Sequence, residues 1–395
     1  MSYWKDRQSE TLEEILKNAD ILADELSNLY AKSSFYLNDK IQEIFDKYRS
    51  KYGLSIQEAK ILLNQLDDPT SYDEMLERLK TTKGKEREEL LKKLESPAYR
   101  YRINRLQEVQ SSIDNVMSNI YNQEKEVNTL NYIQTANASY YKTIFNIQKG
   151  IGIEFDFSNL NPKHIDTILR ANWSGKNYSE RIWNNTQELS KQVKEELLMG
   201  ILTGKTEREM AQTINEKFQG GSYNARRLIQ TESAYMSTMM NIEAYKEAGI
   251  DTMRFVAMHD LKTSKICQQH DGKYVKIKDA VVGSNVPPLH PNCRSFMVPV
   301  IDEELDKNLK RRVKDENGHY KIVDANETYD EWYKRMQSEK GVDEVEVLKK
   351  KTVNYSSDRK QYYRYKDVLG DEFIPASLDK FPELQAESGN KVKKF

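Results

Sequence analysis

Cysteine is almost absent. Two in 395 residues exclude a disulfide framework and leave at most one bridge or one metal site for the thiols to build. Nine prolines and sixteen glycines give the chain few places where it must break, which favours long uninterrupted helices. No stretch approaches the roughly 18 apolar residues that cross a bilayer, and the opening "MSYWKDRQSETLEEIL" is charged where a secretion signal would be apolar. An excess of one charge is lacking too. With 61 Lys+Arg against 62 Asp+Glu the net charge is −1, so the molecule as a whole exerts no long-range pull on nucleic acid and any such contact has to be a local patch.

What is present is amphipathic helix. Leu12, Ile15, Leu16, Ala19, Leu22, Ala23, Leu26, Leu29 and Tyr30 recur at the three- and four-residue spacing that forms one stripe. Leu37, Ile41, Ile44, Phe45 and Tyr48 form a second stripe, and Ile103, Leu106, Ile113, Val116, Met117 and Ile120 a third. Gly53 predicts a stop, and Ser55 with Glu58 is a capping box that starts another helix. The expected fold is mainly α, with a helical bundle or arm over 1–150 and a small metal-stapled α+β domain after it. Near 150, "QKGIGIEFDFSNLNPKH" predicts a short strand and a turn, and a domain edge is placed there.

Thr206 with Glu209 predicts a helix start, Gly220-Gly221 its end, and Gly249 the end of the helix after it. "IDTMRFVAM" then predicts a strand leading into the stretch that holds both cysteines and two of the five histidines. Its ligand pattern is C-x2-H-x19-H-x2-C: Cys267 and His270 form one hook, His290 and Cys293 the other, and the spacer returns the chain to close a tetrahedron. Thiolate and imidazole select zinc over magnesium or calcium. Four protein ligands leave no open position, so the expected role of the zinc is structural. Pro287, Pro288 and Pro291 stiffen the second hook. His259 is a further candidate: it could replace His270 as the fourth ligand, hydrogen-bond one of the ligands, or simply pack. Two other readings stay open: a Cys267–Cys293 disulfide, and buried cysteines with unrelated histidines.

The succession "WSGKNYSERIWNNTQEL", "GILTGKTEREMAQTI", "ARRLIQTESAYMSTMMNIEAYKEAGI", "RFVAMHDLKTSKICQQHDGK" and "PPLHPNCRSFMVPV" resembles the head morphogenesis domain of phage minor head proteins, the family of the phage SPP1 minor head protein and phage Mu protein F. The resemblance runs from Trp173 to Val300, inside a 151–300 domain. It departs from the family at His270, where the family usually has a second cysteine. Gln230, Thr231 and Glu232 match a step of the family pattern, and a salt bridge that braces the fold is expected there. The resemblance implies a non-enzymatic, low-copy virion protein. It would sit inside the capsid, and in the host cytoplasm during assembly, with the portal protein, the major capsid or scaffolding protein and phage double-stranded DNA as partners. It implies roles in head assembly and DNA delivery.

In the remaining 301–395 region, "DRKQYYRYK" interleaves Arg359, Lys360, Arg364 and Lys366 with tyrosines, a pattern suited to weak, non-specific contact with phosphates and bases. Two alternatives belong to other classes. A metal-dependent hydrolase, acting on DNA or cell wall, would need an open coordination position and help from Asp260 or Asp271. A zinc-finger DNA-binding protein would need a basic recognition helix after the hooks, which this sequence lacks.

Overall fold

The computed structural model describes residues 3–52, 72–95, 97–203, 205–301, 310–314, 320–324, 327–369 and 378. The expected helix from Ser55 lies outside them. In chain order the elements are α1 (Tyr3–Tyr52), α2 (Tyr72–Thr81), α3 (Lys85–Glu95), α4 (Pro97–Ile151), α5 (Pro162–Leu169), α6 (Tyr178–Thr203) and α7 (Glu207–Glu247). There follow β1 (Thr252–Val256), α8 (Lys265–His270), β2 (Tyr274–Lys276), β3 (Phe296–Val300), β4 (Lys310–Lys314), β5 (Tyr320–Asp324), α9 (Tyr329–Lys340) and α10 (Val342–Leu369). The fold is mainly helical with a small antiparallel sheet, as the apolar periodicity predicts.

Where their side chains are described, the stripes read from the sequence line the core; those of Phe45, Tyr48, Ile103 and Leu106 lie outside the described residues. Leu12, Ile15, Ala19, Ala23, Leu26, Tyr30, Leu37, Ile41 and Ile44 are all buried on the single helix α1, and Ile113, Val116, Met117 and Ile120 are buried on α4. α1 runs antiparallel to both α4 and α7. The cross-bonds show this: Lys142 pairs with Glu14 and Tyr30 with Glu124, while Gln230 reaches Leu16 and Ser222 reaches Ser27. Residues of α6 join the same cluster, so four long helices share one hydrophobic core.

Between the helices runs a buried polar seam. Gln8 Nε2 donates to Thr143 Oγ1 (3.2 Å) and to the Tyr245 hydroxyl (2.8 Å), Thr143 donates to Asn241 Oδ1 (2.8 Å), and Ser139 donates to Ser237 (3.0 Å). Such bonds are only satisfied at one axial offset, so they fix the register that apolar contacts alone would leave loose.

Two glycine expectations are corrected. Gly220 and Gly221 do not end a helix, because α7 passes straight through them; a Cβ on Gly221 would stand 2.7 Å from the Tyr30 ring, so glycine here permits close approach of α1. Around 150 there is no strand. α4 continues to Ile151, Gly150 makes room for the Trp4 ring, and Gly152 at φ +70° ends the helix. The capping box of Thr206 and Glu209 and the stop at Gly249 form as predicted.

The expected strand in "IDTMRFVAM" is β1, the centre of the order β2-β1-β3, antiparallel to both neighbours. One face of the sheet, with Met253, Phe255, Val275 and Met297, packs with Ile147, Ile242, Tyr245, Cys267 and Cys293. The other face, with Val256, Phe296 and Val298, packs on Leu12 and Ala234. The N-terminal half of α1 is therefore built into the sheet's support. Among the described residues no helix is long and apolar enough to cross a membrane.

A candidate metal centre on the β1–β3 excursion

Both cysteines are drawn inside by local rules. Ser264 N-caps α8, its Oγ accepting from the Cys267 amide (3.4 Å), and the single helical turn that follows points Cys267 inward to 1% exposure. The chain returns through Pro287-Pro288 to His290, and turns at Asn292, whose φ of 57° is in the left-handed region that asparagine tolerates better than most residues. Cys293 follows, also 1% exposed.

Three donors meet here. Cys267 Sγ lies 3.6 Å from Cys293 Sγ and 3.2 Å from His290 Nε2, and the ligand atoms of all three residues fall within 4.8 Å of one another. The cysteines are free thiols, not a disulfide. His290 Nδ1 is 2.8 Å from the Pro291 carbonyl, which can only accept, so Nδ1 carries a proton and Nε2 is the ring atom turned to Cys267. The hydrogen bond from Cys267 pulls the Cys293 thiol well below the usual range, with His290 adding to the effect, while the same bond and burial push Cys267 up. The site favours a thiolate at Cys293, the form that binds metal. The group could hold a metal ion.

His270 and His259 lie elsewhere. His270 Nδ1 is 2.8 Å from the Ile266 carbonyl and its ring leans on Phe255, so it stands outside the group of three. His259 Nε2 meets Asp271 Oδ2 at 2.9 Å, both side chains 3% exposed, and its ring packs against Tyr329 and Trp332 of α9. Asp271 also accepts from the amides of Ala257 (2.8 Å) and Tyr329 (2.9 Å). Asp260 is gripped by Arg294 through two bonds of 2.6 and 3.0 Å. Both carboxylates considered for hydrolysis are thus engaged in holding the loop and α9.

Spacing along the chain did not reveal the support. Ser264 sits 2.7 Å from His290 Nε2, and its only sequence signal is its place one residue before a helix. Gln230, Thr231 and Glu232 of α7 each hold a different segment: Gln230 donates to the Leu16 carbonyl (3.0 Å), Thr231 accepts from the Asn292 amide (3.0 Å), and Glu232 accepts from Trp173 Nε1 (3.0 Å). The expected bracing salt bridge is Arg181–Glu232, at 3.6 Å.

The basic cluster lies on α10. The Arg359 guanidinium stands over the Tyr363 ring and Lys366 over Tyr362, each at 5.9 Å from the centroid. Arg359, Tyr363 and Arg364 are exposed, whereas Tyr362 is buried and is not presented for stacking. The side chain of Lys360 lies outside the described residues.

Comparison with known proteins follows the same segment of chain. The chain is 26% identical over 212 residues to the protein named NAD(+)--arginine ADP-ribosyltransferase EFV of Enterococcus faecalis, a match that covers 50% of this chain and 42% of that protein. The chain thus spans less than half the length of this relative. No solved structure matches. The resemblance to phage head morphogenesis proteins is met by a family: residues 191–298, from within α6 through Cys267, His290 and Cys293 into β3, match the model described as Phage Mu protein F like protein.

Proposed function

We propose that this chain is a minor head protein of a phage, a structural component of the capsid interior that works beside the portal in head assembly and DNA delivery. The match of residues 191–298 to the Mu protein F family carries this reading, because it covers the metal loop together with the helix that supports it. Zinc is the metal the donors suit. With Zn–S near 2.3 Å and Zn–N near 2.05 Å, tetrahedral geometry puts sulfur–sulfur edges at about 3.8 Å and sulfur–nitrogen edges at about 3.6 Å. The separations of 3.6 and 3.2 Å are a few tenths of an ångström shorter than these edges. Zinc held there would tie α8 to the loop before β3 and so staple the excursion. Three protein donors leave the fourth position of the tetrahedron open, so the closed site expected from the spacing no longer argues for a structural role; the engagement of Asp260 by Arg294 and of Asp271 by His259, which occupies both nearby carboxylates, is what supports it over a hydrolytic one. The matched relative's transferase name describes a protein of which this chain covers 42%.

The test is composition. Purified particles of a phage encoding this chain should contain it at low copy number by mass analysis, and full-length chain should co-purify with the portal. Its absence from particles would end the reading.

A contact with DNA, if α10 supplies it, should be weak and salt-sensitive. Four neutralised phosphates give a slope of log affinity on log salt of about −3.6. A variant with Arg359, Lys360, Arg364 and Lys366 all changed to Ala should lose that slope in a salt titration, and unchanged binding would move the contact to another surface.

A further inference from the structure

Asn292 is the one non-glycine residue with positive φ among those described, and it sits between two of the three metal donors, His290 and Cys293. Most side chains resist the left-handed region, so such a turn persists where its surroundings hold it. What holds this one is on another element. The Asn292 amide donates to Thr231 Oγ1 of α7 at 3.0 Å, across 61 residues of sequence.

The Thr231 hydroxyl is set up for this task. Its own proton goes to the Arg227 carbonyl, 2.7 Å away, which fixes the rotor and turns a lone pair outward to the Asn292 amide. Thr231 is buried, and its neighbours Gln230 and Glu232 are tied to α1 and to Trp173, so the acceptor cannot drift. On the other flank, Arg294 locks the loop to Asp260.

We propose that Thr231 is a positioning residue of the metal centre: by accepting from the Asn292 amide it sets the turn that places His290 and Cys293 against Cys267, and so couples metal occupancy to helix α7. The proposal rests on the metal reading above and deepens it. Supporting groups around metal ligands commonly contribute 10–100-fold in metal affinity when lost.

The experiment is a zinc titration of the full chain against a chromophoric chelator. Thr231→Val, of nearly the same volume, removes the acceptor, while Thr231→Ser restores it. The expected result is a 10–100-fold weaker zinc affinity for T231V, near wild-type affinity for T231S, and a smaller zinc-induced rise in the unfolding midpoint of the helices for T231V. A merely structural threonine would lower the stability of the metal-free protein and leave zinc affinity unchanged, which overturns the proposal. Hydrogen exchange of the Asn292 amide in the wild type gives a check that needs no variant: protection is expected, and free exchange would overturn it. A wild type that binds no zinc would sink the metal reading and this proposal together, whereas equal binding by wild type and T231V sinks this proposal alone.

Discussion

Protein purified without chelators should carry about one zinc per chain, and Cys267→Ser with Cys293→Ser should remove it. The expectation rests on two thiols and an imidazole whose ligand atoms already lie within 4.8 Å of one another. Binding free energies of structural zinc in finger peptides are on the order of 10 kcal/mol. A metal present at about a thousand times its dissociation constant would stabilise the folded chain by about 4 kcal/mol. The double variant should therefore melt lower and lose its response to added zinc. His290→Ala should behave like it. His270→Ala should keep its zinc, because that ring is turned to the Ile266 carbonyl and Phe255. Elemental analysis reads all four proteins. No zinc in the wild type would refute a metal centre, and loss of zinc on replacing His270 would restore it as a ligand.

That contrast marks where sequence reasoning reaches and where it stops. Periodicity located the buried stripes of α1 and α4 because burial of an amphipathic helix depends on spacing alone. Capping chemistry located the start of α7, and the short segment "IDTMRFVAM" after the Gly249 stop located β1. Paired hooks drew attention to the excursion that holds the donors, since thiols and imidazoles at short spacing have few other reasons to collect.

The failures share a cause, namely dependence on partners far away in sequence. Gly221 reads as a helix end until Tyr30 of α1 is laid against it, and Gly150 reads as a turn until Trp4 fills the space beside it. His270 and His290 look equivalent as hook members. Only the folded loop shows that one faces Cys267 and the other a carbonyl of its own helix. α4 ends at Ile151, and helices before and after that point contribute to one core.

A second large effect is expected from pH, and its origin is the bundle core. Glu124 is fully buried on α4; Tyr30 donates to its Oε2 at 2.8 Å, and its Oε1 meets no protein donor. Burial pushes this carboxyl up to about 7, against the pull of the Tyr30 bond. Glu232 is pushed up to about 7 as well, by burial, with Trp173 and Arg181 pulling the other way. Both groups bind their proton more tightly folded than unfolded. Their contribution to stability is therefore full below about 4.5, the ordinary value, and is lost as pH rises through about 7. Each can contribute a slope of up to about 1.4 kcal/mol per pH unit inside that window, so the two together cost the chain a few kcal/mol between pH 5 and 8. Glu124→Gln keeps an acceptor for Tyr30 and cannot ionise. Denaturant unfolding of wild type and E124Q at pH 5 and at pH 8 isolates the term: the variant should gain about 2–3 kcal/mol on the wild type as the pH is raised. A difference between the two proteins that is the same at both pH values would show that Glu124 is not protonated in the folded bundle at pH 5. The orphaned Oε1 would then have to be satisfied as a carboxylate, by solvent inside the helical core.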